Sequence, residues 1–560
     1  MTWKVWSSLV AGTMSAILVV GCDQATRTSA IPNQVVAAKP ITDFTPTAAP
    51  QPCNSIRLEP IGQFKHGGFA TLASEIAAYD VASKRLFVAN VESCAFDILD
   101  LSNPAAPSLV GRVSAKQHGD KPTSVTARHG MIAMSVVPQS KRNTGRVLFV
   151  DSVGAVLKVL EVGHEPDMLT FSPDGHWLLV ANEGEPDPSY EFDPEGTVSL
   201  IDVSLGINNL TQQQVTTLDF HAFADRTKLD SSIRIFGKNA TVEQDLEPEY
   251  IAVSKDSQTA WVVCQENNAL AVIDLPQRRI TKLAGLGFKN HSLARQGLDA
   301  SDQDHQIRIR QWPLKGMYQP DAIQTYVVDG THYLVTANEG DGRNYPGFSE
   351  EARVAELKLD PQVFPDAFTL QNHHNLGRLR TTKFLGDGDG NGLHEEIYAY
   401  GARSFSIWTA DGQQVFDSGD QFERIIAERY PLNFNADNTE NPIDSRSDKK
   451  GPEPEGVALG EIAGRMYAFI GIERMGGVMV YDVSQPRAPR FNSYVNTRQA
   501  GGSHTPAELG DLGPEGLLFI SQQDSPAGVP LLVVCNEISG TTRIFRIDAH
   551  EHRMVTKGSN

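Results

Sequence analysis

Residues 247–268 read EPEYIAVSKDSQTAWVVCQENN, and this stretch decides the fold because the chain repeats its pattern. A Pro-acid pair opens a short strand (YIAVS), a turn follows (KDSQ), and a second apolar strand ends in an acid. A third strand, ALAVIDL, comes next and ends in Asp. Similar copies start near residues 165, 319, 453 and 512, and weaker copies start near residues 74 and 121. Short strands separated by regular turn signals predict an all-β protein.

A repeat of about 40 residues with four strands is typical of a β-propeller blade, because one blade buries its faces only against neighbouring blades. The sequence therefore predicts a single β-propeller over residues 53–550, with seven or eight four-stranded blades. The eighth candidate, from residue 394, keeps the strand rhythm but lacks the Pro-acid opening. Residues 55–64 precede the first repeat and are expected to close the ring as the outer strand of the last blade. Two domains divided near residue 300 are the alternative.

Insertions interrupt the predicted blades and are expected to form loops and short helices. They cover residues 205–246, 286–318, 343–382 and 420–451. The last insertion places Phe422, Ile425 and Ile426 on one helical face, which predicts a short helix.

The N-terminus is predicted to be a processing signal. Residues 1–22 form a lipoprotein signal peptide: an apolar stretch too short for a comfortable membrane span ends in Val-Val-Gly-Cys, which resembles a bacterial lipobox with lipidation at Cys22. A plain secretory peptide and an uncleaved anchor are the alternatives. Residues 23–52 are rich in Pro, Ala and Thr and predict a flexible tether, and residues 551–560 form a tail. We expect a monomeric cell-envelope lipoprotein, on the periplasmic or the outer face of a bacterial membrane.

Charge and cysteine content narrow the function classes. The net charge of −19 disfavours nucleic acid and anionic lipid surfaces as partners. Cys264 and Cys535 lie in apolar runs and are expected to be buried, whereas a disulfide between Cys53 and Cys94 is left open. Nucleotide-binding and haem motifs are not found.

Several runs together resemble one known family. They include the stretch quoted above, QPDAIQTYVVDGTHYLVTANEGDGRNY from residue 319, DSRSDKKGPEPEGVALGEIAGRMYAFIGIERM from residue 444 and GPEGLLFI from residue 513. On these residues the chain resembles the choice-of-anchor I family, which includes mesenchyme-specific cell-surface glycoprotein-like proteins. The resemblance implies a propeller of the YVTN or haem-d1-like type and a surface anchor. It implies no secure activity, although some relatives carry alkaline-phosphatase or phytase-like labels.

Acidic residues recur at two positions of the repeat, and we expect them to line one mouth of the central channel. The first acids follow the repeat openings and are Glu75, Asp167, Glu249, Asp321, Glu455 and Glu515. The second acids end the next strand and are Glu183, Glu266, Glu339, Glu473 and Glu537. Crowded carboxylates repel one another unless a positive charge intervenes. The functional interpretation is one or more divalent cations, calcium above all; the structural alternative is that the acids cap strands and pair with Arg343, Arg403, Arg446 or Arg474.

A separate motif, GDGDGNGLHEE from residue 386, predicts a calcium loop. Its alternating oxygen side chains resemble the short loops of integrin-type propeller hairpins more than an EF-hand. The expected ligands are Asp387, Asp389, Asn391, Glu395 and the carbonyl group of Leu393. A glycine-rich acidic turn is the alternative.

Two functions remain open at this point. The first is a membrane-anchored extracytoplasmic binding or scaffold module, stabilised by calcium, for an unknown small-molecule, glycan or protein ligand. The second is a calcium-dependent phosphoric-ester hydrolase, in which acids such as Glu455 and Glu515 hold metal ions and Arg343, Arg403 or Arg446 clamps the ester.

Overall fold

The computed structural model of the chain describes residues 55–438, 442–499 and 508–550. Within these residues, Ile56–Ala549 form one compact unit that is built almost wholly of antiparallel strands. The predicted signal peptide, the tether, the tail, Cys22 and Cys53 lie outside the described residues. Cys94 forms no disulfide within the described part of the chain, and Cys264 and Cys535 are fully buried, as predicted.

The first strand belongs, as expected, to the last blade. It is β1 (Ser55–Lys65), and it pairs at the outer edge of a sheet formed by the C-terminal strands. The first two blades then follow in simple meander order. They are β2 (Ala77–Asp80), β3 (Arg85–Asn90), β4 (Ala95–Asp100) and β5 (Ser108–Ser114), then β6 (Lys121–Arg128), β7 (Met131–Val137), β8 (Arg146–Val150) and β9 (Val156–Glu161).

The third and fourth blades are also meanders, with a loop-rich insertion between them. Blade three comprises β10 (Pro166–Phe171), β11 (Trp177–Asn182), β12 (Thr197–Asp202) and β13 (Val215–Leu218). Two 3₁₀ turns, at Ile207–Asn209 and Gln212–Gln214, connect β12 to β13 within blade three. The insertion after β13 holds 3₁₀ turns at His221–Phe223 and Arg226–Lys228, and helix α1 (Val242–Asp245). Blade four comprises β14 (Pro248–Val253), β15 (Thr259–Cys264), β16 (Ala269–Asp274) and β17 (Arg279–Gly285). Because β13 is the outer strand of blade three, the insertion predicted at 205–246 contains blade residues.

The fifth blade is split by a long insertion that builds a sheet of its own. In chain order the elements are β18 (Phe288–Asn290), β19 (Lys315–Met317), β20 (Ala322–Val328), β21 (Thr331–Asn338), β22 (Asn344–Tyr345), β23 (Phe348–Ser349), β24 (Glu351–Arg353), a 3₁₀ turn (Val354–Glu356), α2 (Ala367–Leu370), β25 (Arg380–Thr382), β26 (Tyr398–Ala399), β27 (Ser404–Thr409) and β28 (Gln414–Asp417). Strands β27 and β28 pair onto β20 and β21 and complete blade five. The eighth-blade candidate from residue 394 is therefore not a separate blade, because it supplies the outer strands of blade five.

The chain ends with a helix and two more blades. Helix α3 (Gln421–Arg429) buries Phe422 and Ile426, which confirms the predicted face, and a 3₁₀ turn follows at Pro431–Asn433. Blade six comprises β29 (Pro454–Ile462), β30 (Arg465–Ile472), β31 (Val478–Asp482) and β32 (Arg490–Val495). Blade seven comprises β33 (Pro514–Ile520), β34 (Leu531–Asn536), β35 (Thr541–His550) and β1.

The blades close into a ring of seven within the described residues. Each innermost strand contacts the innermost strand of the next blade, in the cyclic order β2, β6, β10, β14, β20, β29, β33 and back to β2. Successive side chains of a strand point to opposite faces. Phe87 of β3 packs into the core shared with blade two, whereas Leu86 and Val88 pack into the core shared with blade seven. This two-sided burial explains why the second strands are unbroken apolar runs.

The insertions form an additional layer with its own hydrophobic core. Strands β18, β19, β26, β25 and β24 make a five-stranded sheet, in which β19 and β26 pair in parallel. Leu298, Trp312 and Leu379 are buried together in a core drawn wholly from insertion residues.

Candidate functional site

Four of the five Pro-acid pairs lie at β-bulges where the innermost strands begin. Pro166 pairs with Asn182, and the register then shifts before Leu169. A bulge adds one residue to a strand and redirects its side chain, and proline is tolerated there because it has no N–H to donate. The same shift follows Pro248, Pro454 and Pro514. The acid after each of these four prolines is thus placed inside an irregular segment, whereas Asp321 directly precedes β20, which pairs with β21 without a shift.

The second acids follow the ends of the second strands, where an asparagine often fixes the hairpin. Asn182 Nδ2 donates to Thr197 Oγ1 (3.2 Å) and Ser199 Oγ (3.0 Å) on the third strand of its blade. Asn338 makes equivalent bonds to two serines of β27. Because neighbouring side chains alternate in direction, the glutamate after each asparagine is turned away from these partners.

Acids from both sets lie close together in the structure. Each of the eleven residues has at most 8% of its surface exposed. Carboxylate oxygens lie within 4.8 Å of one another in three groups, which are Asp321–Glu455–Glu515, Glu339–Glu455–Glu473 and Glu183–Glu249–Glu266. We call the eleven acids the acid ring. Blade two interrupts the ring, because Thr123 takes the place after its proline and donates to the carbonyl oxygen of Pro166 (2.6 Å).

Two ring acids, Glu339 and Glu473, each contact a cationic side chain. Lys450 Nζ lies 2.6 Å from Glu339, and Arg474 Nη2 lies 3.0 Å from Glu473. Among the described residues, no ion pair is formed by the ring acids Glu75, Glu183, Glu455 and Glu515. One buried oxygen of each of Glu75, Glu455, Glu473 and Glu515 also has no hydrogen-bond partner in the described part of the chain.

This crowding raises the pKa of several ring carboxyl groups. Burial raises the pKa of Glu75 to about 7, and the charge of Asp167 adds to the effect. Burial, followed by repulsion from neighbouring ring acids, holds the pKa values of Glu455 and Glu515 well above their usual range. Two carboxylates about 4.8 Å apart repel by on the order of 3 kcal/mol at an effective dielectric constant of about 20. Protons or cations must therefore neutralise part of the ring at neutral pH.

The candidate arginines are bound to other groups. Arg343 forms ion pairs with Asp245 and with Glu247 (3.0 Å), both outside the ring. Arg403 Nη1 donates to Glu423 Oε1 (2.6 Å) and to the carbonyl oxygen of Asp299 (2.6 Å). These two guanidinium groups connect insertion segments and do not neutralise the ring acids.

Arg446 is likewise committed outside the ring. Its Nε donates to Glu453 Oε1 (2.9 Å), and Arg474 and Lys450 contact the same carboxylate at 3.1 Å. These cations hold the pKa of Glu453 well below its usual range despite burial. Of the four candidate arginines, Arg474 alone pairs with a ring acid, Glu473, among the described residues.

Sequence reasoning missed the acid that precedes the proline in three repeats. Glu165 contacts Lys141 Nζ (3.0 Å), Glu247 contacts Arg343, and Glu453 contacts three cations. Each of these acid-Pro-acid motifs thus carries one acid paired with a cation and one acid turned to the ring. The repeated sequences EPD and EPE show the acid before the proline, but the sequence does not identify its cationic partner, because that partner lies outside the motif.

Hydrogen bonds of the predicted ligands close the glycine-rich loop at residues 386–396. Gly392 N donates to Asp387 Oδ2 (2.9 Å), Gly388 N donates to Glu395 Oε2 (2.9 Å), and both oxygens of Asp389 accept from Asn391 (3.0 Å each). Asp387 Oδ1 is buried and has no hydrogen-bond partner among the described residues, whereas Asp389 and Asn391 are exposed. Calcium binding in this loop stays a prediction, as does the carbonyl ligand of Leu393.

The fold and the ring together define a class: a seven-bladed β-propeller with clustered, buried carboxylates at one rim. The choice-of-anchor I domain family matches residues 75–486, and the chain belongs to this family. The chain is 31% identical to Gigasin-3a of Magallana gigas over 217 residues, which is 37% of this chain and 68% of that protein. It is 31% identical to the mesenchyme-specific cell surface glycoprotein of Strongylocentrotus purpuratus over 279 residues, 44% of this chain but only 36% of the glycoprotein.

Solved structures with similar backbones share little sequence with the chain. Kuenenia stuttgartiensis hydrazine synthase gives a TM-score of 0.44 at 14% identity, covering 86% of this chain and 97% of that chain. The β-propeller domain of Cps50 (Swd1) from Myceliophteria thermophila gives 0.40 at 9% identity, covering 88% and 99%. Within the described residues, no helix has the length and hydropathy needed to cross a membrane.

Proposed function

We propose that this protein is an extracytoplasmic, surface-anchored propeller whose acid ring binds divalent cations and, through them, a ligand. Calcium is the expected ion, because it accepts six to eight oxygen ligands in flexible geometry and the ring offers only oxygen ligands. The observation that supports the proposal best is the Asp321–Glu455–Glu515 group, whose oxygens lie within 4.8 Å of one another.

The charge pattern favours cations over a purely structural role. In a structural role, each ring acid would be satisfied by arginine, lysine or backbone N–H groups. Glu455 and Glu515 instead each keep a buried oxygen without a hydrogen-bond partner among the described residues, and they form no ion pair there. An ion bound between them would remove the repulsion and satisfy these oxygens at once.

An anchored, extracytoplasmic location rests on two observations. The first is the resemblance of the sequence ending at Cys22 to a lipobox. The second is the name of the sea-urchin relative, which describes a cell surface protein. The ligand class is an anionic small molecule, glycan or protein group, because a partly coordinated calcium ion offers its open positions to oxygen ligands.

The hydrolase is the weaker alternative. A phosphoric-ester hydrolase needs cationic groups free to hold the ester oxygens. Arg343, Arg403 and Arg446 are each engaged with carboxylates or carbonyl oxygens. No observation on the described residues favours turnover over binding.

Calorimetric titration of the chelator-treated full chain with calcium tests the proposal. We expect Glu455→Gln and Glu515→Gln to weaken calcium binding at least tenfold. Glu461→Gln is the matched control, because Glu461 lies on the same strand, β29, as Glu455 but is exposed. Equal calcium affinity in all three variants and the native chain would show that the acid ring does not bind the ion.

A further inference from the structure

A second group of buried acids lies away from the ring, where two insertions meet. Asp299 and Asp304 belong to the segment between β18 and β19, and Asp444 follows helix α3. One carboxylate oxygen from each of the three lies within 4.8 Å of the other two. Their exposed fractions are 1%, 7% and 6%, so all three side chains are more than nine-tenths buried.

One oxygen of this group points to a ligand. Asp444 accepts a hydrogen bond from Ser447 Oγ at Oδ1, while its Oδ2 is buried with no hydrogen-bond partner among the described residues. Asn435 donates to the same Ser447 Oγ (2.9 Å), and the Asn435 Oδ1 atom is likewise buried and unsatisfied there. Asp299 accepts backbone N–H bonds from Arg308 and Ser301. Asp444 and Asn435, which share the Ser447 hydroxyl as a hydrogen-bond partner, thus each keep one unsatisfied oxygen for an ion, one charged and one neutral.

The charges around the group leave a deficit that matches one divalent ion. The carboxylates are Asp299, Asp304, Asp444 and, beside them, Glu423, whose Oε2 accepts from the Asp299 N–H (3.0 Å). The guanidinium groups are Arg308, whose Nε lies 2.9 Å from Asp304 Oδ2, and Arg403, which lies 2.6 Å from Glu423. Four negative and two positive charges leave two negative charges uncompensated. Isolated buried charges are costly, so this deficit calls for a cation or for bound protons.

We propose that Asp299, Asp304 and Asp444 bind one calcium ion, separate from the acid ring, that fastens the two insertions together. Three carboxylates and the neutral Asn435 oxygen form the all-oxygen set that calcium prefers. The ion bridges the segment that carries Asp299 and the segment that carries Asp444. It therefore fixes the insertion layer, which also holds Lys450 beside Glu339 of the ring.

Terbium, a luminescent substitute for calcium, tests the site in the full chain. Trp312 is buried and donates from Nε1 to the carbonyl oxygen of Leu298 (3.1 Å), directly before Asp299, so it can sensitise an ion bound there. We expect tryptophan-excited terbium emission that calcium displaces. Asp444→Asn should lose this emission, and calorimetry should count one calcium ion fewer per chain. Asp302→Asn is the control, because Asp302 lies in the same segment but pairs with Arg378.

A diffraction experiment on the native chain covers the case in which the Asp444 variant does not fold. Crystals grown with terbium should show an anomalous peak about 2.3–2.6 Å from Asp444 Oδ2. An empty position in such crystals would overturn the proposal and leave shared protons as the neutralising charge. An unchanged calcium count in folded Asp444→Asn would overturn it as well.

Discussion

Replacing Glu75 with glutamine should stabilise the protein when calcium is withheld. Glu75 has 3% of its surface exposed, forms no ion pair among the described residues and lies near Asp167 and Glu515. Its folded-state pKa of about 7 lies above the ordinary value of 4.5. At about 1.4 kcal/mol for each pKa unit, ionised Glu75 lowers the free energy of unfolding by roughly 3 kcal/mol. Glutamine keeps the shape of the side chain and removes this cost.

The raised pKa of Glu75 determines how its contribution to the free energy of unfolding changes with pH. A carboxyl group with a raised folded-state pKa binds its proton more tightly in the native chain than in the unfolded chain. Its stabilising contribution is therefore complete below pH 4.5 and is lost as the pH rises through about 7. In excess chelator, the native chain should lose up to roughly 3 kcal/mol between pH 5 and pH 8 from this group, and Glu75→Gln should lose less.

Urea unfolding followed by tryptophan fluorescence, at several pH values with chelator or with excess calcium, measures these differences. We expect Glu75→Gln to exceed the native chain at pH 8 in chelator and to converge with it toward pH 5. Excess calcium should reverse the order, because the native chain then gains binding free energy that the variant lacks. A variant less stable than the native chain at pH 8 in chelator would show instead that Glu75 is favourable as an unliganded anion.

Three further changes test other parts of the structure. Leu58 lies in β1 and is 4% exposed, and β1 closes the ring. Leu58→Ala should therefore lower the free energy of unfolding, measured by urea titration, by about 2–4 kcal/mol. An unchanged free energy of unfolding would contradict closure by this strand. Arg343→Leu leaves Asp245 and Glu247 buried without their cation and should cost about 3–5 kcal/mol by the same measurement, whereas a neutral change would show that the network is dispensable. Asp387→Asn should reduce the rise in melting temperature that calcium produces, and an equal rise in variant and native chain would exclude an ion in that loop.

The sequence predicts the blades because each blade repeats the same local pattern of apolar strands and turn residues. Leu86, Phe87 and Val88 are all apolar because both faces of a blade are buried between neighbours. The terminal Asp of the third strand is equally local: Asp202 Oδ1 accepts the N–H of Ser204 (3.1 Å) and turns the chain there. Closure by β1 is also predictable from sequence, since the strand-like residues 55–64 precede the first repeat.

The insertion layer could not be predicted in the same way. Strands β19 and β26 pair in parallel although about 80 residues separate them, and the repeat pattern contains no signal for such a contact. The repeat pattern likewise contains no signal for the cationic partners of the acids before proline. Glu453 is neutralised by Arg446, Lys450 and Arg474, but only the folded insertion brings these side chains to one carboxylate. Sequence therefore located the ring acids, while the charge balance that separates paired from unpaired acids required the structure.

We propose that the acid ring holds calcium, and crystals of the full chain grown with calcium and measured for anomalous scattering would locate the ion. We expect a peak about 2.3–2.6 Å from oxygens of Glu455 and Glu515. Crystals that contain calcium at millimolar concentration but show no peak within reach of any ring carboxylate would contradict it.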